Sequence, residues 1–272
     1  MLDEVAERGL VLLGCGKMGS ALLAGWLGQG LPARAVWVIE PHPSDWLAAR
    51  VADGLQLNAG MPPRPAVVLV AVKPQMMGEA LPALAALGGG GTVVLSVAAG
   101  TPIAQFEAIL GAGTPVVRAM PNTPAAVARG ITAIVGNAEA GAPALALAET
   151  LLSAVGQVVR LEEEAQMDAV TAVSGSGPAY VFHLIEALAA AGEAEGLPAP
   201  LALHLARATV AGAGHLAETA EEGPGELRAN VTSPNGTTAA ALAVLMDEAT
   251  GFPALMRRAV HAAAERSREL GR

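Results

Sequence analysis

The sequence predicts an α/β protein in two parts, a doubly wound N-terminal sheet followed by an all-α C-terminal domain. Three observations carry that prediction. Between residue 9 and about residue 160, short β-branched runs alternate with Ala/Leu-rich stretches at helical spacing. The runs are continuously apolar, as strands of a parallel sheet covered on both faces are. After GQVVRLEEEAQ (156–166) the strand pattern stops, and apolar residues recur every three or four positions through 165–220 and 236–270.

The strands are read at GLVLLG (9–14), AVWVIE (35–40), AVVLVAV (66–72), TVVLSV (92–97), PVVRAM (115–120) and ITAIVG (131–136), with helices between them. A chain of 272 residues is expected to form two cores, because single cores stop growing at about 250–300 residues, with one large domain as the alternative. The boundary is set after residue 160, giving a sheet domain over 1–160 and a helical domain over 161–272. Turns at EGLPAP (195–200), EEGPGE (221–226) and TSPNGTT (232–238) divide the helices. Those helices are apolar on more than one face. The excess face either packs on the first domain or pairs with a second copy; a homodimer is the reading adopted, with a larger homo-oligomer left open.

Bulk properties exclude several classes. Net charge is −9, and residues 161–272 hold 7 basic against 15 acidic groups, a surface that repels a phosphate backbone, so no nucleic-acid partner is expected. No apolar run is long enough to span a bilayer, and MLDEVAERGL lacks the basic start of a signal peptide, which points to a soluble cytoplasmic protein with no membrane partner. A single cysteine, Cys15, rules out a disulfide framework, and no metal site is visible. Only two of the sixteen basic residues are lysines, Lys17 and Lys73. Both fall inside the motifs below, although codon bias alone would also thin out lysine.

VLLGCGKMGSALLAGWL (11–27) leaves a strand and opens a helix with glycines at 14, 16 and 19. Gly14 permits a tight turn, Gly16 lets the backbone approach a pyrophosphate, and Gly19 allows close helix–strand contact, so this reads as a dinucleotide-binding loop, the alternative being a merely structural glycine turn. Glu40, at the end of AVWVIE, is placed to accept the adenine ribose hydroxyls and would repel a 2′-phosphate; it is otherwise a solvated strand end. Asn58 and Arg64 pull the other way, since either would reach that phosphate if the loop after the third strand crossed the adenosine. The coenzyme therefore stands as NADPH or NADH. Further candidate contacts are Lys17 and Met18 inside the loop, then Ala71, Lys73 and Pro74 of LVAVKPQ (69–75). Ala98 of SVAAG (96–100) and Asn122, with Thr123, of AMPNTPAA (119–126) end the next strands, where a nicotinamide ring would lie. Lys73 has the alternative reading of an ordinary surface lysine.

In the helical half, VSGSGPAY (173–180) puts Ser174, Gly175, Ser176 and Gly177 before Pro178 and a long apolar helix. Bare N–H groups and the helix dipole favour an anion there. NVTSPNGTTAAALAVL (230–245) repeats the device with Thr232, Ser233, Thr237 and Thr238. Two such turns would hold a substrate carboxylate without an arginine; each alone is also a plain N-cap.

GCGKMG, AVKPQ, MPNTP, SGSGPAY and VTSPNGTT, in this order and spacing, resemble the Δ1-pyrroline-5-carboxylate reductase family over essentially the whole chain. The last two motifs are specific to that family. The resemblance implies an N-terminal Rossmann domain, a helical domain interlocked with that of a partner subunit, and hydride transfer from NAD(P)H to the ring C=N to give L-proline. Asn235 departs from the glycine more usual in the family, and Asn tolerates the left-handed conformation such a turn needs. Under that reading Thr238 is the candidate hydroxyl near the ring nitrogen. Glu221 is either a carboxylate favouring the iminium or one charge of a solvated run. His183 and Glu186, three apart, do not make a zinc motif and are read as a satisfied core or interface pair. A hydroxyacid reductase of similar build would keep a lysine in the helical half, and residues 161–272 contain none. A non-catalytic NAD(P) sensor would keep the glycine loop without needing both hydroxyl-rich turns.

Overall fold

A computed structural model describes residues 2–271, apart from the Pro74 side chain. The helices in chain order are α1 (Leu2–Arg8), α2 (Lys17–Gly28), α3 (Asp45–Ala49), α4 (Met77–Ala80), α5 (Ile103–Leu110), α6 (Ala142–Leu152), α7 (Met167–Val170), α8 (Gly177–Ala194), α9 (Ala199–Thr219), α10 (Pro224–Asn230), α11 (Thr237–Leu245) and α12 (Phe252–Leu270). The strands are β1 (Leu10–Leu13), β2 (Val36–Ile39), β3 (Gln56–Leu57), β4 (Val67–Val70), β5 (Val93–Ser96), β6 (Val116–Met120), β7 (Gly130–Gly136) and β8 (Gly156–Arg160). The chain falls into two compact units, Met1–Gly175 with Ala264–Arg272, and Ser176–Ala263. The sheet ends at Arg160, and the first unit keeps the next fifteen residues with it.

The first unit holds one sheet in the order β3-β2-β1-β4-β5-β6-β7-β8. Strands β1 to β6 are parallel. Because β1 pairs with β2 on one side and β4 on the other, the chain reverses direction across the sheet there, opening a crevice at the carboxyl ends of β1 and β4. Two features depart from the sequence expectation. ITAIVG forms β7 antiparallel to β6, with β8 parallel to β7, so the sheet is mixed. A continuous apolar run reports burial on both faces and carries no strand direction, which is why the sequence missed it. Strands β3 and β8 were also absent from the six runs: β3 is two residues long, and β8 is largely exposed.

Alternate residues of β1 face opposite cores. Leu10 and Leu12 join Leu22, Leu23 and Trp26 of α2 and Leu147 and Leu151 of α6, whereas Val11 and Leu13 join Ile103, Phe106 and Leu110 of α5. Trp26 Nε1 donates to the Leu151 carbonyl at 2.8 Å, tying α2 to α6 through a buried bond. On the other core, Arg118 of β6 is a buried cation whose Nη1 donates to Glu164 Oε1 at 2.6 Å.

In the second unit α8 and α9 pack on each other. Their buried side chains are alanines, Ala189, Ala202 and Ala206, while α10 and α11 bury none. Phe182, Leu205, Val244 and Leu255 are among the large apolar side chains left exposed. Two details differ from the sequence reading. The turn placed at 221–226 contains the start of α10 at Pro224. The helical pattern through 236–270 is broken between α11 and α12, where Asp247 Oδ1 accepts from Ala249 N and from the N–H and hydroxyl of Thr250. Those donors, the Thr250 hydroxyl foremost, hold the Asp247 carboxyl below its ordinary pKa. Among the described residues no helix is long and apolar enough to cross a membrane.

Candidate active site

The glycine loop follows β1 at the crevice. Gly14 has φ +89°, and a Cβ there would come within 2.8 Å of the Ala71 carbonyl, so only glycine lets this turn lie on the end of β4. Ala71 N in turn donates to the Leu13 carbonyl at 2.7 Å. A side chain at Gly19 would run into the Gly14 carbonyl, whereas a Cβ at Gly16 meets nothing within 4 Å. Gly16 is the extended N-cap of α2, and its free flank is the space an anion needs at a helix start. Lys17 is the exposed first residue of α2, and Met18 packs partly against the core. The loop residues therefore fit the pyrophosphate that the motif implies.

Cys15 and Ser20, which the sequence reading left without roles, close the loop. Ser20 Oγ donates to the Cys15 carbonyl at 2.9 Å and lies 3.6 Å from its sulfur. Burial pushes the Cys15 thiol pKa up, the Ser20 contact opposes this, and the Glu40 charge adds to the rise. The sulfur thus stays neutral and adds no negative charge beside the loop.

Glu40 is more than a strand end. Its Oε2 accepts from Cys15 N at 2.8 Å and its Oε1 from His42 N at 3.0 Å. Asn58, in the left-handed conformation at φ +52°, holds the Glu40 main chain from both sides: Glu40 N donates to Asn58 Oδ1 and Asn58 Nδ2 donates to the Glu40 carbonyl, each at 3.0 Å. The Asn58 amide is thus engaged in fixing Glu40 rather than reaching for a phosphate. Arg64 is displaced from its anticipated place altogether. Its carbonyl accepts from Arg8, whose guanidinium also binds the carbonyls of Pro65 and Gly91. These residues precede β1, β4 and β5, at the amino edge of the sheet, opposite the glycine loop.

The remaining coenzyme candidates line the carboxyl edge. Lys73 is exposed just beyond β4, its carbonyl accepting from Met76 N as Pro74 opens a 3₁₀ turn. Ala98 is buried beyond β5, its N–H on Ser96 Oγ at 3.2 Å. Asn122 follows β6 and joins three segments: its Oδ1 accepts from Ile131 N at 3.0 Å, and its Nδ2 donates to Ser174 Oγ at 3.4 Å. Thr123 is exposed beside it. Gly175 sits with its Cβ position 3.6 Å from the Met120 sulfur. The first unit thus brings Ser174 and Gly175 to the same edge as the glycine loop.

The approach to α8 differs from the simple helix start anticipated. Thr171–Gly175 form a π-helical turn that runs almost directly from α7 into α8, a widened turn common at functional sites. Ser176 is the N-cap of α8, Gly177 its first residue, and Pro178 lies in its opening turn. In the second unit, Thr237 and Thr238 lie inside the first turn of α11 rather than before it, and Gly236 is the N-cap. Thr232 donates its hydroxyl to the Arg228 carbonyl at 2.6 Å, and Ser233 O accepts from Gly236 N. Asn235 has φ +58°, the left-handed conformation this turn requires. Glu221 is exposed between α9 and α10. The His183–Glu186 contact, at 3.0 Å, is a solvent-exposed pair. Among the described residues no group of three or more His, Cys, Asp or Glu could hold a metal ion.

Comparisons with known proteins agree on one family. The family model described as pyrroline-5-carboxylate reductase dimerisation matches residues 164–270, and that described as NADP oxidoreductase, coenzyme F420-dependent, matches residues 9–100. The chain is 43% identical over 266 residues to a pyrroline-5-carboxylate reductase of Pseudomonas aeruginosa, covering 96% of each, and 40% identical to that of Methanosarcina acetivorans, covering 96% and 97%. Among solved structures it resembles the Coxiella burnetii enzyme with a TM-score of 0.89 at 32% identity, covering 97% of this chain and 99% of that one. A Plasmodium falciparum pyrroline carboxylate reductase with NADP bound matches with a TM-score of 0.82 at 27% identity, covering 97% and 98%. Resemblance at this level along nearly the full length, through both the glycine loop and the hydroxyl-rich turns, makes the chain a member of the pyrroline-5-carboxylate reductase family.

Proposed function

We propose that this chain reduces Δ1-pyrroline-5-carboxylate to L-proline with NAD(P)H, the last step of proline biosynthesis. The observation that carries the reading is end-to-end coverage: the relatives match both halves of the chain, the half with the coenzyme loop and the half with the hydroxyl-rich turns. When bound, the coenzyme supplies the hydride. The protein's own part is to bind, orient and exclude water, because a protonated C=N accepts hydride readily. Gly14, Gly16 and Gly19, with Lys17 and Met18, take the pyrophosphate. Glu40 takes the adenine ribose, with Asn58 holding Glu40. Ala71, Lys73, Pro74, Ala98 and Asn122 line the nicotinamide end. The turns at Ser174–Gly177 and at Thr232–Thr238 are each candidates for the substrate carboxylate, Thr238 is the candidate hydroxyl for the ring nitrogen, and Glu221 the candidate carboxylate favouring the iminium.

The helical part serves as a homodimer interface. Helices α10 and α11 bury no side chain within one chain, and Tyr180 and Leu184 of α8 form with Phe252, Leu255 and Met256 of α12 the walls of an open cleft of about 800 Å³. Apolar faces of that extent need a second copy to cover them.

The test is direct. Purified protein given pyrroline-5-carboxylate and reduced coenzyme should oxidise the coenzyme and release L-proline in equal amounts; no turnover with either coenzyme would defeat the reading. Thr238→Ala should lower kcat/KM for the substrate about 10- to 150-fold, the range for one hydrogen bond to a charged group. Its coenzyme affinity should be unchanged, and a variant with wild-type kcat/KM would remove Thr238 from the site.

A further inference from the structure

We propose that the coenzyme of this chain is NADH in preference to NADPH, and that Glu40 selects it. The inference rests on the reading of the Gly14–Gly19 loop as the pyrophosphate cradle and of Glu40 as the ribose partner, and goes beyond it by choosing between the two coenzymes.

Four hydrogen bonds fix Glu40. Two come to its carboxylate from Cys15 N and His42 N, and two tie its main chain to the Asn58 amide. Each carboxylate oxygen has a lone pair to spare after one bond. Those lone pairs suit the two hydroxyl donors of an unphosphorylated ribose. A 2′-phosphate brings acceptors and negative charge to the same place, so it meets repulsion where the ribose meets a bond. A carboxylate on a free side chain would swing away to admit the phosphate. This one would have to leave two backbone N–H groups, one of them within the glycine loop itself.

The segment that follows Glu40 supplies no lysine or arginine to offset that charge. Residues 41–46 read PHPSDW, and their formal charge is the carboxylate of Asp45. Ser44 Oγ accepts from Leu47 N as the cap of α3. Arg50 is paired with Asp53 at 3.2 Å and lies over the Trp46 ring. Arg64, the one arginine the sequence offered for a 2′-phosphate, lies at the opposite edge of the sheet.

The test is binding of NADH and NADPH to the purified full-length protein by calorimetric titration without substrate, so that it does not depend on turnover. Wild type should bind NADH tighter by about tenfold or more at moderate salt. Glu40→Ser should weaken NADH and move the ratio about tenfold or more toward NADPH, and Glu40→Gln, which removes the charge at constant size, should move it the same way. Wild type that binds NADPH as tightly as NADH, or tighter, overturns the proposal whether or not the variants fold. Failure to bind either coenzyme overturns both this assignment and the cradle reading beneath it, which Gly16→Val probes independently.

Discussion

Gly16→Val is expected to fold, dimerise and lose coenzyme binding. A Cβ at Gly16 meets no protein atom within 4 Å, and its φ of −69° is open to any residue. The fold therefore gives no steric reason to reject valine, and replacing a glycine N-cap by a β-branched residue costs only about 1 kcal/mol. What the branched side chain does fill is the space beside the first N–H groups of α2. A pyrophosphate that must approach those groups within hydrogen-bond distance is then held off, and the loss should be about 100-fold or more in affinity, roughly 3 kcal/mol. Gly14 and Gly19 supply the contrast, because side chains there collide with the Ala71 and Gly14 carbonyls. Gly19→Ala should lower stability as well as binding. Titration with reduced coenzyme, paired with thermal unfolding, separates the two cases: a well-folded Gly16→Val protein with near wild-type affinity would show that the anion does not lie over Gly16.

The difference between these glycines marks what a sequence discloses. Spacing identified the loop, since GxGxxG between a strand and a helix has few other uses. The sheet was legible for a similar reason: each apolar run is long enough to require burial on both faces, and the clusters on either side of β1 bear that out. Partners were less legible. Asn58 and Glu40 lie eighteen residues apart and meet only because β2 and β3 are neighbours, so nothing local announces that the amide holds Glu40. Arg64 failed for the complementary reason. Its position in the chain is close to Asn58, but the chain has crossed to the amino edge by the time it enters β4. The π turn at Thr171–Gly175 passes in the sequence for a plain helix start, because its small residues carry no signal for the extra residue the turn absorbs. Asn235 went the other way: a departure at one position, read through backbone preference, gave the observed conformation.

Glu164→Ala should be among the most destabilising single changes in the first unit. Arg118 has a side chain only 7% exposed on β6, and its Nη1 pairs with Glu164 Oε1 at 2.6 Å. The same oxygen accepts from Ile103 N at 2.9 Å, so one carboxylate neutralises a buried cation and caps the start of α5. Arg118 Nε already lacks a partner. Removing the carboxylate leaves the guanidinium buried without its countercharge, a loss of about 3–5 kcal/mol, and Glu164's own 32% exposure places the value toward the lower end because water can enter. Arg118→Met should cost much less. It deletes the buried charge and its unpartnered nitrogen together, fills similar volume, and leaves Glu164 its bond to Ile103 N. Glu164→Gln belongs between them, keeping an acceptor for Ile103 N while losing the charge. The pair also has a positional consequence. Just after β8, a capping box between Glu163 and Gln166 turns the chain toward α7, and Glu164 pins that turn to β6, the strand that ends two residues before Asn122. Ser174, hydrogen-bonded to Asn122, lies ten residues beyond the pin. Urea unfolding of the three variants would rank the costs. A Glu164→Ala protein within about 1 kcal/mol of wild type, or one no less stable than Arg118→Met, would show that the ion pair does not anchor this crossing.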